Sequence, residues 1–259
     1  MKYKTLEIIN EESISIVYLN RPKSLNSLNN QMLKELTDFS HNLNQNLETR
    51  AVVFTGKGEN FSSGVDLKQK VNHSSNLQAW RSNYGKPAIE SILDINQITI
   101  AAINGYCLGG AACIASACDF RIGSISSKVG YPEINLGINL NWLGLPLAVR
   151  LIGPAKAKKL VIGGKHESSE NLLKWGFYDK ITESESLLQE AREMASFYAT
   201  KPPIAAQMIK RSINQLVYSL DKATMHMDYD QTLLTTKTND RSEAIKAFFE
   251  KREPKFRGD

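Results

Sequence analysis

The chain has 259 residues, 42% of them hydrophobic and 23% charged, with a formal net charge of +5. That length can bury a substantial core in one large domain or a domain with an appendage, and the composition is too apolar for an intrinsically disordered chain. Lys and Arg occur in pairs such as Lys158-Lys159 and Lys210-Arg211 and not in a block. That absence of a block argues against a nucleic-acid-binding arm; the mild, dispersed basic balance fits a small phosphate-bearing ligand at least as well as DNA, and equally a solvated surface.

No apolar run is long enough to span a bilayer. Residues 1–12 are polar and lack the apolar core of a secretory leader, so a cytoplasmic location is expected. Cys107, Cys113 and Cys118 are odd in number and crowded into one apolar stretch. They read as reduced, buried thiols, not as a disulfide framework or a zinc clip.

In chain order, residues 5–9 and 14–19 are β-branched-rich runs joined by a short polar turn, which predicts a hairpin. Arg21-Pro22 breaks the strand. Asn29 can cap a helix carrying Met32, Leu33, Leu36, Phe39, Leu43 and Leu47 at helical spacing. Residues 51–55 form a short buried strand ending in a glycine-punctuated loop, residues 56–64, after which a helix is expected to start near Val65-Asp66. A helical stretch at 87–93, a strand at 99–103, a small-residue helix at 109–117 and a strand at 119–123 continue an alternation that predicts an α/β fold. Beyond Pro202 the pattern is helical throughout, at 204–220, 221–236 and 240–250. The expected organisation is a core over 1–200 and an appended helical module over 201–259 used in packing or oligomerisation.

Three segments can carry chemistry. Asn60-Phe61-Ser62-Ser63-Gly64-Val65-Asp66-Leu67-Lys68 follows a strand, and backbone N–H groups at a helix start can face an anion. An ordinary capped loop fits it as well. Asn104-Gly105-Tyr106-Cys107-Leu108-Gly109-Gly110-Ala111-Ala112-Cys113 lets a backbone approach a ligand closely, or else allows tight helix packing. Tyr131-Pro132-Glu133-Ile134-Asn135-Leu136-Gly137 holds one carboxylate in an apolar stretch; partly desolvated, it would have a raised pKa and could shuttle a proton, whereas a lone glutamate in a loop can also simply be exposed. The sequence contains no GxSxG elbow, HExxH, P-loop or CxxC, and His41, His73, His166 and His226 are scattered, so no metal site is expected.

Taken in order, Asn20-Arg21-Pro22-Lys23-Ser24-Leu25-Asn26, Phe61-Ser62-Ser63-Gly64-Val65-Asp66-Leu67, Ile103-Asn104-Gly105-Tyr106-Cys107-Leu108-Gly109-Gly110, Ala117-Cys118-Asp119-Phe120-Arg121, Pro132-Glu133-Ile134-Asn135-Leu136-Gly137 and Ala247-Phe248-Phe249-Glu250-Lys251-Arg252 resemble the crotonase family of enoyl-CoA hydratases and isomerases. The resemblance runs over nearly the whole chain. It implies the crotonase (ClpP-like) spiral of ββα repeats with a C-terminal helical trimerisation region, assembled as a homotrimer or a dimer of trimers. It also implies an acyl-CoA thioester as ligand, with coenzyme A entering as part of the substrate, and no further cofactor.

Carried over, the resemblance gives an oxyanion hole from the N–H groups of Val65 and Gly110 and places Glu133 as acid/base. Substrate contacts would come from Lys23, Ser24, Ser63, Gly64, Asp66, Leu67, Lys68, Gly109, Cys113, Asn141 and Trp142, with Trp80, Tyr84 and Leu143 as further pocket candidates. Phe248 and Lys251 would reach the nucleotide, from this or a neighbouring subunit.

One departure bears on the chemistry. Hydratases of the family generally use two glutamates, and the position three residues after Gly110 holds Cys113, a thiol with a pKa near ~8.5 that cannot easily replace a carboxylate. The stretch after Gly137, where other members carry an acid, reads Ile138-Asn139-Leu140-Asn141-Trp142. A single carboxylate suffices for 3-enoyl to 2-enoyl isomerisation, and single-glutamate hydratases also exist in the family. The expectation is a hydratase or isomerase with Glu133 as sole acid/base; the alternative is an acyl-CoA-binding or carrier paralogue without turnover.

Overall fold

The computed structural model describes residues 3–69 and 74–259, so His73 lies outside the described residues. The hairpin forms as expected: β1 (Leu6–Glu11) and β2 (Ile14–Leu19) pair antiparallel, with Glu11 opposite Ile14. A 3-10 turn over Pro22–Ser24 follows, and then α1 (Asn30–Leu43). The Asn29 side chain accepts the Met32 N–H, satisfying one of the helix's orphan donors. Met32, Leu33, Leu36, Phe39 and Leu43 are buried along one face. Leu47 is not part of that stripe. The helix has ended, Asn46 turns the chain by accepting the Glu48 and Thr49 N–H groups, and Leu47 is left 91% exposed.

The chain continues through β3 (Ala51–Gly56), α2 (Asn76–Arg81), α3 (Gly85–Leu93), β4 (Ile98–Ile103), β5 (Tyr106–Leu108), α4 (Gly110–Ala117), β6 (Phe120–Ser124), β7 (Lys128–Gly130), α5 (Gly144–Gly163), β8 (Glu167–Ser168), α6 (Ser169–Trp175), β9 (Lys180–Thr182) and α7 (Leu187–Ala199). Helix α5 is broken at Gly153, just before Pro154. The strands sort into a large sheet, β1-β2-β3-β4-β6-β9, parallel from β2 onward, and a small one, β5-β7-β8.

Successive strands go to different sheets: β4 to the large, β5 to the small, then α4; β6 to the large, β7 to the small, then α5. After β3 the chain makes the same move, because Ser62 pairs with Cys107 as a parallel bridge beside β5. This is the ββα spiral of the α/β crotonase fold.

Both faces of the large sheet are covered, as a parallel sheet requires. Val17, Leu19, Val52, Phe54, Ala101 and Ile103 pack into the core that holds α1, α3, α4 and α5. The alternate residues Ile16, Val53, Ile100, Ala102 and Ile122 pack on Leu187, Ala191 and Ala195 of α7.

The C-terminal stretch forms α8 (Pro203–Tyr218), α9 (Asp221–Thr224), α10 (Asp228–Thr235) and α11 (Asn239–Glu250). The helix read as continuous over 221–236 is interrupted at 225–227, where α10 begins with the Asp228 carboxylate turned inward. Lys210, 7% exposed, fastens α8 to the sheet by donating to Gln97 O at 2.7 Å and to Asp119 Oδ2 at 2.6 Å. No described helix is long and apolar enough to cross a membrane.

Candidate active site

Three extended segments lie side by side and create the site's backbone. Leu28 bridges Val65, donating its N–H to Gly64 O at 2.8 Å and accepting the Asp66 N–H at 3.0 Å. On the other side Ser62 donates to Tyr106 O at 2.9 Å and accepts from Leu108 at 3.1 Å. A Cβ on Gly64 would lie 2.6 Å from Leu108 O, so only glycine lets the two backbones approach this closely.

Val65 does not start a helix, contrary to the expectation from sequence. Its N–H points away from Leu28 because alternate groups in an extended segment face opposite sides, and no acceptor among the described residues receives it. On that side β5 runs into Gly109 and the start of α4, where the Gly110 N–H has no intrahelical acceptor.

Gly109 turns the chain from β5 into α4 at φ 56°, ψ −125°, and donates its N–H to Gly130 O at 2.8 Å. Glu133 approaches this turn from the 3-10 segment Pro132–Leu136: a Cβ on Gly109 would lie 2.5 Å from Glu133 Oε1. The residue is half-buried, but Oε2 is shielded from solvent and has no hydrogen-bond partner among the described residues. Burial without a compensating donor disfavours the ionised form and pushes the carboxyl up to about 7.

Cys113 lies one helical turn after Gly109, fully buried, with Sγ near Asn141 O at 3.8 Å and a Cβ on Gly144 only 2.8 Å away. Burial, with Glu133 and Asp228 adding like charge, holds its thiol well above the ordinary range, so it remains neutral. Asn141 is half-buried and its carbonyl closes a turn by accepting the Gly144 N–H at 3.0 Å.

Trp142 and Leu143 adopt left-handed backbone at φ 56° and 58°, a cost of about 1–2 kcal/mol each for bulky residues. Asp228 holds them: its Oδ2 accepts the Leu143 N–H at 3.0 Å, while Oδ1 is buried without a partner among the described residues. Burial raises the Asp228 pKa, against the Leu143 N–H and the Lys86 ammonium, which favour the charged form.

The other predicted contacts divide into two groups. The 21–28 loop is fastened to the 57–66 loop, since Asn26 Nδ2 donates to Lys57 O and Asn60 O at 2.9 and 2.7 Å and Ser63 donates its N–H to Leu25 O at 3.0 Å. Lys23, exposed, and Ser24, half-buried, lie on this loop next to Leu25, which accepts the Ser63 N–H. Asp66 is engaged with Arg21 at 2.9 Å; burial would raise its pKa, but the guanidinium and the Lys68 N–H outweigh that and hold it below the usual carboxylate range.

Phe248 and Lys251 lie at the end of α11, exposed, and among the described residues no hydrogen bond, ion pair or ring contact joins them to these loops. Trp80 is occupied elsewhere, donating Nε1–H to Asp230 at 2.6 Å, and the Lys34 ammonium lies over the Tyr84 ring.

Two contributors escape a reading of the sequence. Asp228 is one. Arg241 of α11 is the other: it donates to Leu136 O at 2.6 Å, closing the end of the turn that carries Glu133. Its guanidinium pKa is lowered by the burial this requires. Both are polar residues on helices about a hundred positions away from their partners, and only tertiary pairing reveals them. Among the described residues no group of three or more His, Cys, Asp or Glu is placed to hold a metal ion.

Comparison with known proteins adds to this geometry. A family model described as "Enoyl-CoA hydratase/isomerase" matches residues 9–259. The chain is 31% identical to crotonyl-CoA hydratase of Syntrophomonas wolfei subsp. wolfei over 258 residues, 99% of each protein. It is 33% identical to (E)-benzylidenesuccinyl-CoA hydratase of Thauera aromatica, over 98% of each. The crystal structure of an enoyl-CoA hydratase/isomerase from Pseudoalteromonas atlantica T6c matches with a TM-score of 0.90 over 98% of this chain and 100% of that one, at 24% identity, a likeness of fold.

Proposed function

The chain belongs to the enoyl-CoA hydratase/isomerase family, and from that membership we propose that it acts on an acyl-CoA thioester through an enolate, with Glu133 as the sole acid/base. The observation that carries this reading is the Glu133 carboxyl: shielded, without a partner at Oε2, pushed up to about 7 and packed against the Gly109 turn. A group poised near neutrality can both take and return a proton. The N–H groups of Val65 and Gly110 hold the thioester oxygen as it gains charge; one such donor typically contributes ~10²–10³ in rate.

In isomerisation, Glu133 removes a proton from the carbon next to the thioester carbonyl, the 3,4 double-bond electrons end at the 2,3 position, and the same proton or one exchanged with solvent is delivered to the γ-carbon. In hydration, Glu133 activates the water that adds across the 2,3 double bond and returns a proton to the enolate. Cys113 offers no second carboxylate, so the reading is isomerisation or single-glutamate hydration.

Lys23, Ser24 and the 63–68 loop contact the CoA moiety, and coenzyme A is part of the substrate. Phe248 and Lys251 contribute from a neighbouring subunit of a homotrimer or dimer of trimers, with the 201–259 module as the oligomerisation element. The exposed Ile209, Ile213 and Leu216 along one face of α8, continued by Leu220 just beyond its end, support assembly, because monomers rarely leave such an apolar face uncovered.

The test is incubation with 2-enoyl- and 3-enoyl-CoA in heavy water, followed by mass spectrometry. Conversion of the 3-enoyl to the 2-enoyl ester identifies an isomerase, and gain of one water on the 2-enoyl ester a hydratase. Binding without either product overturns the enzyme reading in favour of a carrier, the second reading, which the neutral Cys113 motivates.

The Arg241 contact gives a further expectation. Arg241→Ala should lower kcat about tenfold, equivalent to roughly 1.4 kcal/mol of lost positioning, with KM nearly unchanged in steady-state kinetics. An unaltered kcat would mean that the Pro132–Leu136 turn holds Glu133 without help from α11.

A further inference from the structure

Relatives of nearly equal similarity are named for acyl groups as different as crotonyl and benzylidenesuccinyl, so family membership does not fix what this chain accepts. Its own residues are more specific. The Trp142 indole lies between two helix starts: a Cβ on Gly85, the first residue of α3, would fall 1.7 Å from Trp142 Cε2, and a Cβ on Gly110, the first residue of α4, 2.2 Å from Trp142 Cζ3. Both positions are open only because they lack side chains. Trp142 is 8% exposed, so the residue is almost wholly enclosed there. The neighbouring Gly109 touches the Glu133 carboxyl, which puts the indole within one residue of the group that handles the proton.

This placement is actively held. Trp142 and Leu143 are consecutive left-handed residues, and the acceptor for the Leu143 N–H is the Asp228 carboxylate, 1% exposed on α10. A strained pair fastened by a buried carboxylate persists only where the surroundings over-determine it. We propose that Trp142 is the end wall of the acyl pocket, fixed by Asp228 as a positioning residue, and that it restricts the protein to short acyl-CoA thioesters. The inference rests on the reading of Gly110 and Glu133 as the reacting centre. An acyl chain whose carbonyl is held at the Gly110 N–H meets the indole soon after its reacting carbons.

The test measures the affinity of the full-length protein for butanoyl-, octanoyl- and dodecanoyl-CoA by calorimetry, a readout that needs no turnover. Wild type should bind butanoyl-CoA and lose affinity steeply with length. Trp142→Ala should bind the longer esters more tightly, by about fourfold in Kd for each methylene that the opened space accepts. Trp142→Phe, which keeps a ring and guards against misfolding of the alanine variant, should fall between them. Asp228→Ala should shift the length preference in the same direction, and Asp228→Asn, which keeps an acceptor for the Leu143 N–H, should restore it. If wild type, Trp142→Ala and Trp142→Phe all bind butanoyl-CoA with the same dependence on length, the wall assignment is overturned. If no ester binds to any of them, the reading of the site itself fails.

Discussion

Glu133→Gln is expected to lower turnover by roughly 10²–10⁴ while leaving the affinity for a saturated acyl-CoA unchanged, because the amide keeps the shape of the carboxyl and loses only the proton exchange. The wild-type rate should rise with pH through an apparent pKa near the value of about 7 that burial imposes, since proton abstraction needs the ionised form.

The same shift makes a stability prediction of opposite sign. The carboxyl has an ordinary value of 4.5 when exposed and about 7 in the folded chain. Below 4.5 it is protonated in both states and contributes no pH dependence. Between the two values the folded state retains a proton that the unfolded state has lost, so stability falls by ~1.4 kcal/mol per pH unit. Above about 7 the full penalty is present, on the order of 3 kcal/mol. Glutamine does not titrate. Urea unfolding at about pH 4 and about pH 8.5 should therefore show the variant gaining on wild type at the higher pH, a site that trades stability for function. A constant difference between the two proteins, together with undiminished turnover, would mean that Glu133 is solvated and idle.

Much of the architecture was legible because it is local. The hairpin, the Asn29 cap, the buried run at 51–55 and the small-residue helix before Cys118 each declare themselves by periodicity or by a capping residue, and each forms. The errors lie where pairing is non-local. Val65 followed a glycine turn and resembled a helix start; its free N–H comes instead from the bridge to Leu28, a contact across almost forty residues that no local pattern encodes. Leu47 kept the helical spacing, yet Asn46 had already turned the chain. Gly85 and Asp228 meet Trp142 from widely separated elements. In sequence the first reads as an ordinary glycine and the second as one acid in a polar helix. Phe248 and Lys251 carry the family pattern, but among the described residues no contact within the chain brings them to the 21–28 and 57–66 loops.

Gly109→Ala provides the sharpest separation of fold from chemistry. The residue sits at φ 56°, ψ −125°, a conformation that L-residues adopt only at a cost of about 1–3 kcal/mol. That strain should lower the melting temperature by a few degrees. The added Cβ would also fall 2.5 Å from Glu133 Oε1 and 3.3 Å from its Cδ. The carboxyl is the movable end of a side chain, so the fold can yield there, and it yields by displacing the Glu133 carboxyl. A displacement of about 1 Å is enough to reduce turnover by roughly 10²-fold.

Gly58→Ala supplies the control. Gly58 is also left-handed, at φ 81°, but a Cβ there meets only Pro22 Cβ, at a comfortable 3.8 Å. It should destabilise to a similar degree and keep full activity. Thermal melts and kcat measured on both variants decide the matter: equal melting losses with activity lost only in Gly109→Ala mean that the glycine is there to make room for Glu133. Equal activity in the two would mean that the contact between Gly109 and the carboxyl has no part in the chemistry.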